Sequence, residues 1–266
     1  MSLEDWEGDR VSYGGPDFLR LPARQPKPRT LGLTHVLDKG LTPVATEALL
    51  EQTAALIDIV KIGWGIGYVD PTLTRRVAIY VAAGVPVCLG GTLCEIVALQ
   101  DRVAEFRDWA LTSGITHVEV SNGLQALTDD RKVGLVKELS ADFVVIAETG
   151  AKDGSYPTSP EEWSEEMQRD LDAGASYVVA EGRESGTVGL YGADEAVHEE
   201  IVTGILARIP AEQVIFEAPL KAQQSWFITT VGSDVNLGNI EPASVLPLET
   251  LRLGLRADTA TAGPSG

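Results

Sequence analysis

The sequence predicts a (β/α)8 TIM barrel, an α/β fold in a single domain with an irregular N-terminal arm, and three observations predict it. Short apolar runs rich in Val and Ile alternate with helix-forming stretches eight times between residues 30 and 256. The repeat is about 30 residues, the length of one βα unit. The apolar runs are continuous, as parallel strands covered on both faces require, and no Gly-x-Gly-x-x-Gly follows any of them, which argues against a doubly wound sheet.

The elements follow in order. Leu31–Leu37 reads as the first strand and Pro43–Leu56, rich in Ala, Leu, Glu and Gln, as its helix. Ile57–Ile62 is β, and Thr72–Ala83 is helical with Pro71 at its start. Val85–Leu89 is β, followed by one long amphipathic helix over Glu95–Thr112. His117–Val120 is β, and Asp129–Leu139 is helical. Asp142–Ala147 is β, and Pro160–Ala173 is a helix with Ser159 as N-cap. Tyr177–Ala180 and Asp194–Ala207 form the sixth unit, Val214–Phe216 and Gln223–Val231 the seventh, and Val235–Leu237 with Leu246–Leu255 the eighth. Gly84, Gly114 and Gly174 fall where helix C-termini turn into the next strand. Residues 1–29, with Pro22, Pro26 and Pro28 among Arg20, Arg24, Lys27 and Arg29, read as an arm laid on the surface or partly disordered. Residues 30–256 are the catalytic barrel domain, and residues 257–266 a flexible C-terminal tail.

Composition narrows the function. An apolar share of 44% describes a globular chain with a large core, and no run approaches the roughly 20 apolar residues of a membrane span. With no leader-like segment at the start, a cytoplasmic enzyme is expected. Cys88 and Cys94 share no metal-ligand spacing and are expected as buried, reduced thiols. A formal charge of −18 excludes nucleic acid as a partner, because phosphate backbones need a basic face. Small anions are not excluded, since a few converging Lys and Arg can make one cleft positive. A homo-oligomer is left open.

In a barrel the chemistry sits at the C-terminal rim, so each strand's end is informative. The ends read Asp38-Lys-Gly, Lys61-Ile-Gly-Trp-Gly, Gly90-Gly-Thr with Glu95 following, Glu119-Val-Ser-Asn-Gly, Glu148 with Lys152, Glu181-Gly-Arg-Glu-Ser-Gly, Glu217-Ala-Pro-Leu-Lys and Asn236-Leu-Gly-Asn. The opposite loops, such as Ser113-Gly-Ile-Thr116, carry nothing comparable. Glu95, Glu119, Glu148, Glu181 and Glu217 cannot share one rim without neutralisation. Either a divalent cation or the interleaved Lys61, Lys152, Arg183 and Lys221 must supply it. Oxygen donors without Cys or His suit Mg²⁺, which takes one or two carboxylates plus water and substrate oxygens. Asp38, Glu95, Glu119, Glu181 and Glu217 are therefore the candidate metal ligands, with only one or two expected to bind. Lys61, Lys152, Arg183 and Lys221 together describe a site for a substrate with several negative charges. Gly232 and the stretch Asn236–Ile240 are the candidate phosphate site. His35, His117 and His198 are expected to be structural. There is no Gly-x-Ser-x-Gly elbow and no Ser/His/Asp set on the rim.

These strand-end motifs, together with Phe216-Glu-Ala-Pro, Val235-Asn-Leu-Gly-Asn-Ile and Leu248-Glu-Thr-Leu-Arg-Leu-Gly-Leu-Arg, resemble the phosphosulfolactate synthase family, in order, from about Lys27 to Thr259. The resemblance implies a carbon–sulfur lyase that adds sulfite to phosphoenolpyruvate with Mg²⁺, giving (2R)-phospho-3-sulfolactate on a route to sulfolactate or, in methanogens, coenzyme M. It implies Lys152 as the general acid that protonates C2, with Glu148 beside it as lysine orienter, metal ligand or ion-pair partner. It implies Lys61, Arg183 and Lys221 as anion binders, with Asn236 and Asn239 as amide donors. The chain differs from other members in having Ala151 before Lys152, Asn122 in place of an aspartate, and Gly238 where alanine is common. The competing expectations are a related barrel lyase adding another nucleophile to phosphoenolpyruvate, and a non-catalytic, stress-associated member.

Overall fold

The computed structural model describes residues 11, 13–15, 18–150, 159–182, 185, 187, 189–192 and 194–260. Eight parallel strands close into a barrel in sequence order, with β8 returning to β1. They are β1 (Thr34–Asp38), β2 (Ile59–Ile62), β3 (Val87–Leu89), β4 (His117–Val120), β5 (Val144–Thr149), β6 (Tyr177–Ala180), β7 (Val214–Glu217) and β8 (Leu237–Ile240). Around them run α1 (Pro43–Thr53), α2 (Ile66–Val69), α3 (Leu73–Ala82), α4 (Gly91–Leu99), α5 (Val103–Thr112), α6 (Asp129–Leu139), α7 (Pro160–Ala173), α8 (Glu199–Leu206), α9 (Lys221–Thr230) and α10 (Val245–Arg252). No helix among the described residues is long and apolar enough to cross a membrane.

Local chemistry sets several of these boundaries. α7 begins in a capping box, with the Ser159 hydroxyl accepting from Glu162 N–H and the Glu162 carboxylate accepting from Ser159 N–H. It stops at Gly174, which takes φ 116°. The long helix expected over residues 95–112 is two, α4 and α5, because the chain turns at Asp101 with φ 54°. Aspartate tolerates that left-handed conformation better than most residues.

The last strand begins two residues later than Val235. Its register against β1 also slips: Thr34 pairs with Leu237 and Val36 with Ile240, so three steps on β8 span two on β1. Asn239 absorbs the extra residue at φ 53°, making a bulge.

Two buried layers hold the barrel. The larger lies between strands and helices and includes Val36, Val60, Val118, Val145, Val178 and Phe216. A separate small cluster joins Ile59, Cys88, Ile146, Val179 and Ile215, one residue from each of five strands. A cluster of that origin, apart from the helix-facing core, is the filling of the barrel interior.

Side chains two residues further along a strand point the same way. The next interior layer is therefore Lys61, Glu148, Glu181 and Glu217, joined by Glu119 two residues beyond His117. The apolar plug aims the charged layer at the rim.

Below the plug, the arm residues close the bottom. Arg24 is buried and donates to Glu249 Oε1 at 3.0 Å and to the Gly32 carbonyl at 3.0 Å. Lys27 Nζ donates to the carbonyls of Ala54, Ile57 and Gly84, and Arg29 pairs with Asp58 at 2.9 Å. Arg252, from α10, takes the Val235 and Leu33 carbonyls. Arg24 and Arg29 thus lie inside the fold rather than on its surface, because they satisfy carbonyls and carboxylates at the N-terminal ends of the strands.

His35 and His117 sit in the interior near the plug and are not rim residues. Burial, then Lys61 and His117, pushes His35 well below its ordinary value, and burial pushes His117 down to about 4. A histidine whose folded value is depressed binds fewer protons than the unfolded chain, so stability falls as pH drops from about 6.5 towards 4. For His117 the loss at the acid end is roughly 3 kcal/mol. Groups that gain a proton on folding act in the opposite sense, so the difference between parent and a His117→Asn variant isolates the histidine. Urea unfolding at pH 7 and pH 4.5 is expected to show a shallower acid loss in the variant. Equal losses would assign the effect elsewhere.

Candidate active site

The charged interior layer opens into a cavity of about 770 Å³ at the C-terminal ends of the strands. Lys61, Glu119, Glu148, Glu181, Glu217 and Asn239 all line it. Its wall is completed by close backbone approaches. A Cβ on Gly90 would stand 2.8 Å from the Trp64 amide nitrogen, and one on Gly91 would stand 2.3 Å from Ser121 Oγ. Only glycine lets these loops meet.

Lys61 is the centre of the site. Its Nζ lies 2.9 Å from Glu119 Oε2 and 3.1 Å from Glu217 Oε1, with both carboxylates buried. The far oxygens are also placed: Glu119 Oε1 accepts from Gly91 N–H at 2.8 Å and Glu217 Oε2 from Gly182 N–H at 3.0 Å. Burial alone would lower Lys61, but Glu119, Glu217 and Glu148 hold it well above the ordinary lysine value. Burial, then the carboxylates of Glu181, Glu119 and Glu217, raises Glu148 far above the carboxylate range, against the pull of Lys61. Four glutamates thus share one lysine among the described lining residues. A further cation, a metal ion or a basic side chain, would relieve the repulsion among them.

The rim motifs do not all converge. Asp38 is turned outward: its carboxylate takes Arg76, the Tyr80 hydroxyl at 2.8 Å and the Gly40 and Leu41 amides at 2.8 Å each. The inward residues of β1 are His35 and Leu37, so Asp38 falls on the helix-facing side.

Glu95 lies on α4, not a strand. It braces the loop after β4 from behind by accepting from Ser121 Oγ and from the Gly123 and Leu124 amides at 3.2 and 2.7 Å. Lys221 opens α9 half exposed and pairs with Asp258 at 2.8 Å, away from the cavity.

Asn236 precedes β8 and belongs to the bottom of the barrel. Its Oδ1 accepts from Leu33 N–H at 2.8 Å, and its Nδ2 faces the Thr30, Ala211 and Val214 carbonyls. Gly232, with φ 124°, lies in the α9–β8 loop at that same lower end. The expected phosphate site on Gly232 and Asn236 is therefore corrected: Gly232 lies in the loop that leads into β8 and Asn236 just before the strand's start at Leu237, so both are below the sheet. Lys152 and Arg183 lie outside the described residues.

Three residues given no role from sequence matter here. Trp64 lines the mouth with φ 48°, an unusual conformation for a bulky side chain. Its signal was its place between two glycines. Arg76 is buried and holds both Asp38 and Asp70. Lys132 is buried on the same stripe of α6 as Leu135, Val136 and Leu139. A lysine at a core position of an amphipathic helix is a readable signal of an internal ion pair.

The closed barrel and its acidic, lysine-centred cavity at the strand C-termini define a (β/α)8-barrel enzyme. Residues 22–258 match the family model of (2R)-phospho-3-sulfolactate synthase. The chain is 39% identical over 250 residues to the phosphosulfolactate synthase of Methanothermobacter thermautotrophicus, covering 91% of this chain and 96% of that one. It is 37% identical over 247 residues to that of Bacillus subtilis, covering 91% and 98%. The chain belongs to the phosphosulfolactate synthase family.

Among solved structures it is similar to the YdjI aldolase of Escherichia coli, with TM-score 0.55 at 14% identity over 88% of this chain and 89% of that one. It is also similar to 3-hexulose-6-phosphate synthase of Salmonella typhimurium, with TM-score 0.52 at 12% identity over 86% and 93%. Both likenesses show the barrel.

Proposed function

We propose that this protein adds sulfite to phosphoenolpyruvate, with Mg²⁺, to form (2R)-phospho-3-sulfolactate in the cytoplasm. The observation that carries the reading is the family match over residues 22–258 on a chain that gathers four glutamates and Lys61 around one cavity. In the proposed reaction the sulfur lone pair attacks C3 and the C–S bond forms. The C2=C3 electron pair shifts towards C2 and its carboxylate, and a proton from Lys152 is delivered to C2. The phosphate ester stays intact throughout, and Lys152 regains its proton from bisulfite or water, so atoms and charge balance.

The oxygen donors of the cavity, with no Cys or His among the described lining residues, support Mg²⁺. Among the described residues no three His, Cys, Asp or Glu side chains are arranged to enclose a metal ion. Mg²⁺ commonly takes only one or two carboxylates and completes its shell with water and substrate oxygens. Glu148 and Glu181, which reach the cavity from the ends of the neighbouring strands β5 and β6, are the residues assigned to it. When bound, the ion supplies Lewis-acid stabilisation of the charge that builds on the substrate carboxylate.

The chain's own groups do the rest. Lys61 holds Glu119 and Glu217 in place at the cavity wall. Asn239 offers a side-chain amide at the cavity wall, and Arg183 is assigned to anion binding. Lys221 is not, because it is paired with Asp258.

Incubating the purified protein with phosphoenolpyruvate, sulfite and Mg²⁺ and following ³¹P NMR is expected to show a new phosphate-ester resonance that chelation by EDTA suppresses. Phosphoenolpyruvate left unchanged would sink the synthase reading, and turnover undiminished by EDTA would remove the metal.

A further inference from the structure

The end of β5 is held by a group outside the sheet. β4 and β5 pair as far as Val120 with Ala147, whereas β5 and β6 continue to Thr149 with Ala180. β5 therefore outruns its neighbour by Glu148 and Thr149. Strand carbonyls alternate in direction. Those of Val145 and Thr149 accept from Ser176 and Glu181 on the β6 side. The Glu148 carbonyl therefore faces the β4 side, where the ladder has stopped.

Lys132 of α6 fills that position. Its Nζ lies 2.9 Å from the Glu148 carbonyl oxygen. Its other two N–H groups go to Glu166 Oε1 and Asp170 Oδ2 of α7, each at 2.6 Å. An ammonium has three donors, and all three are used. Lys132 is 3% exposed and Asp170 1% exposed.

A buried ion pair is poor value for stability alone, since well-packed apolar residues often serve as well. Its bond to one particular carbonyl calls for another explanation. The carboxyl of that same residue lines the cavity.

We propose that Lys132, clamped by Asp170 and Glu166, is a positioning residue that fixes the overhanging end of β5 and thereby the place of the Glu148 carboxyl in the cavity. The inference rests on the proposed reaction for its kinetic consequence, and on geometry alone for the anchor.

The test separates positioning from stability. Lys132→Met leaves Asp170 buried without its counter-charge, so Tm is expected to fall by roughly 10 °C and kcat to fall with it. Lys132→Met/Asp170→Leu replaces the pair with apolar groups and is expected to recover most of that Tm. Glu166, partly exposed, can turn to solvent.

In the double variant kcat is still expected to be down by roughly ten- to a hundredfold, with KM for phosphoenolpyruvate changed by less than about threefold. Amide exchange in residues 146–150 is expected to be faster than in the parent while β2 is unchanged. Recovery of kcat together with Tm would overturn the proposal. Should the double variant not recover Tm, exchange in Lys132→Met below its own Tm decides: acceleration spread equally over β2 and β5 overturns it. If the parent itself does not consume phosphoenolpyruvate, the reaction is wrong, and the exchange measurement still decides the anchor.

Discussion

Lys61→Met is expected to destabilise the protein by about 3–5 kcal/mol and to abolish turnover. The side chain is buried between Glu119 and Glu217, whose carboxylates are 3% and 1% exposed as residues. Removing the ammonium leaves two carboxylates facing each other in the barrel, with Glu148 and Glu181 close by. Methionine fills the volume, so the loss reports charge rather than a cavity. The deficit is expected to shrink in acid, because a protonated glutamate needs no counter-charge. Urea unfolding of parent and variant at pH 7 and pH 5 reads both statements. A loss below about 1 kcal/mol, the scale of an exposed pair, would show that Lys61 does not hold the acidic layer together.

Lys152→Ala is expected to cut turnover by about 10²- to 10⁴-fold, the range for loss of a general acid, with little change in Tm or in KM for phosphoenolpyruvate. A carbanion at C2 without its proton donor reverts to reactants faster than bulk water can trap it from one face. The residual product is therefore expected to lose its preference for the 2R configuration. In deuterium oxide the parent is expected to place one deuterium at C2. Product from the variant, followed by ³¹P NMR and resolved by chiral chromatography, checks the rate and the stereochemistry together. Near-normal turnover with the 2R product retained would take Lys152 out of the mechanism.

The two variants probe parts of the site that were unequally legible in the sequence. The βα alternation was readable because buried parallel strands must be apolar on both faces, and their continuous Val and Ile runs say so. Lys61, Glu119, Glu148, Glu181 and Glu217 were readable because each breaks such a run near its C-terminal end.

What the runs do not display is parity. Asp38 breaks its strand just as abruptly, yet it follows the inward Leu37 by one residue rather than two and so faces Arg76 and Tyr80. Glu95 is a rim residue in sequence only, since α4 starts at Gly91 and carries it behind the loop it braces. On β8 the bulge at Asn239 interrupts alternation altogether. Periodicity therefore could not say that Asn239 lines the cavity while Asn236 serves the opposite end. Lys132 was hidden for a different reason: its partners on α7 are 34 and 38 residues away, and only the packed helices bring them together.

The seal at the bottom of the barrel has a kinetic side. Arg24 reaches Glu249 across 225 residues of chain, and β1 pairs with β8 beside it. Contacts so distant in sequence form only after the long loop between them has closed, and such closure is slow. Until α10 is made, the curled sheet has two open edges, with the backbone groups of β1 and β8 unmatched. Exposed edges of this kind pair with other chains. The same arginine that secures the finished ring therefore rests on contacts among the most distant in the sequence, and a chain with those edges still open is exposed to self-association.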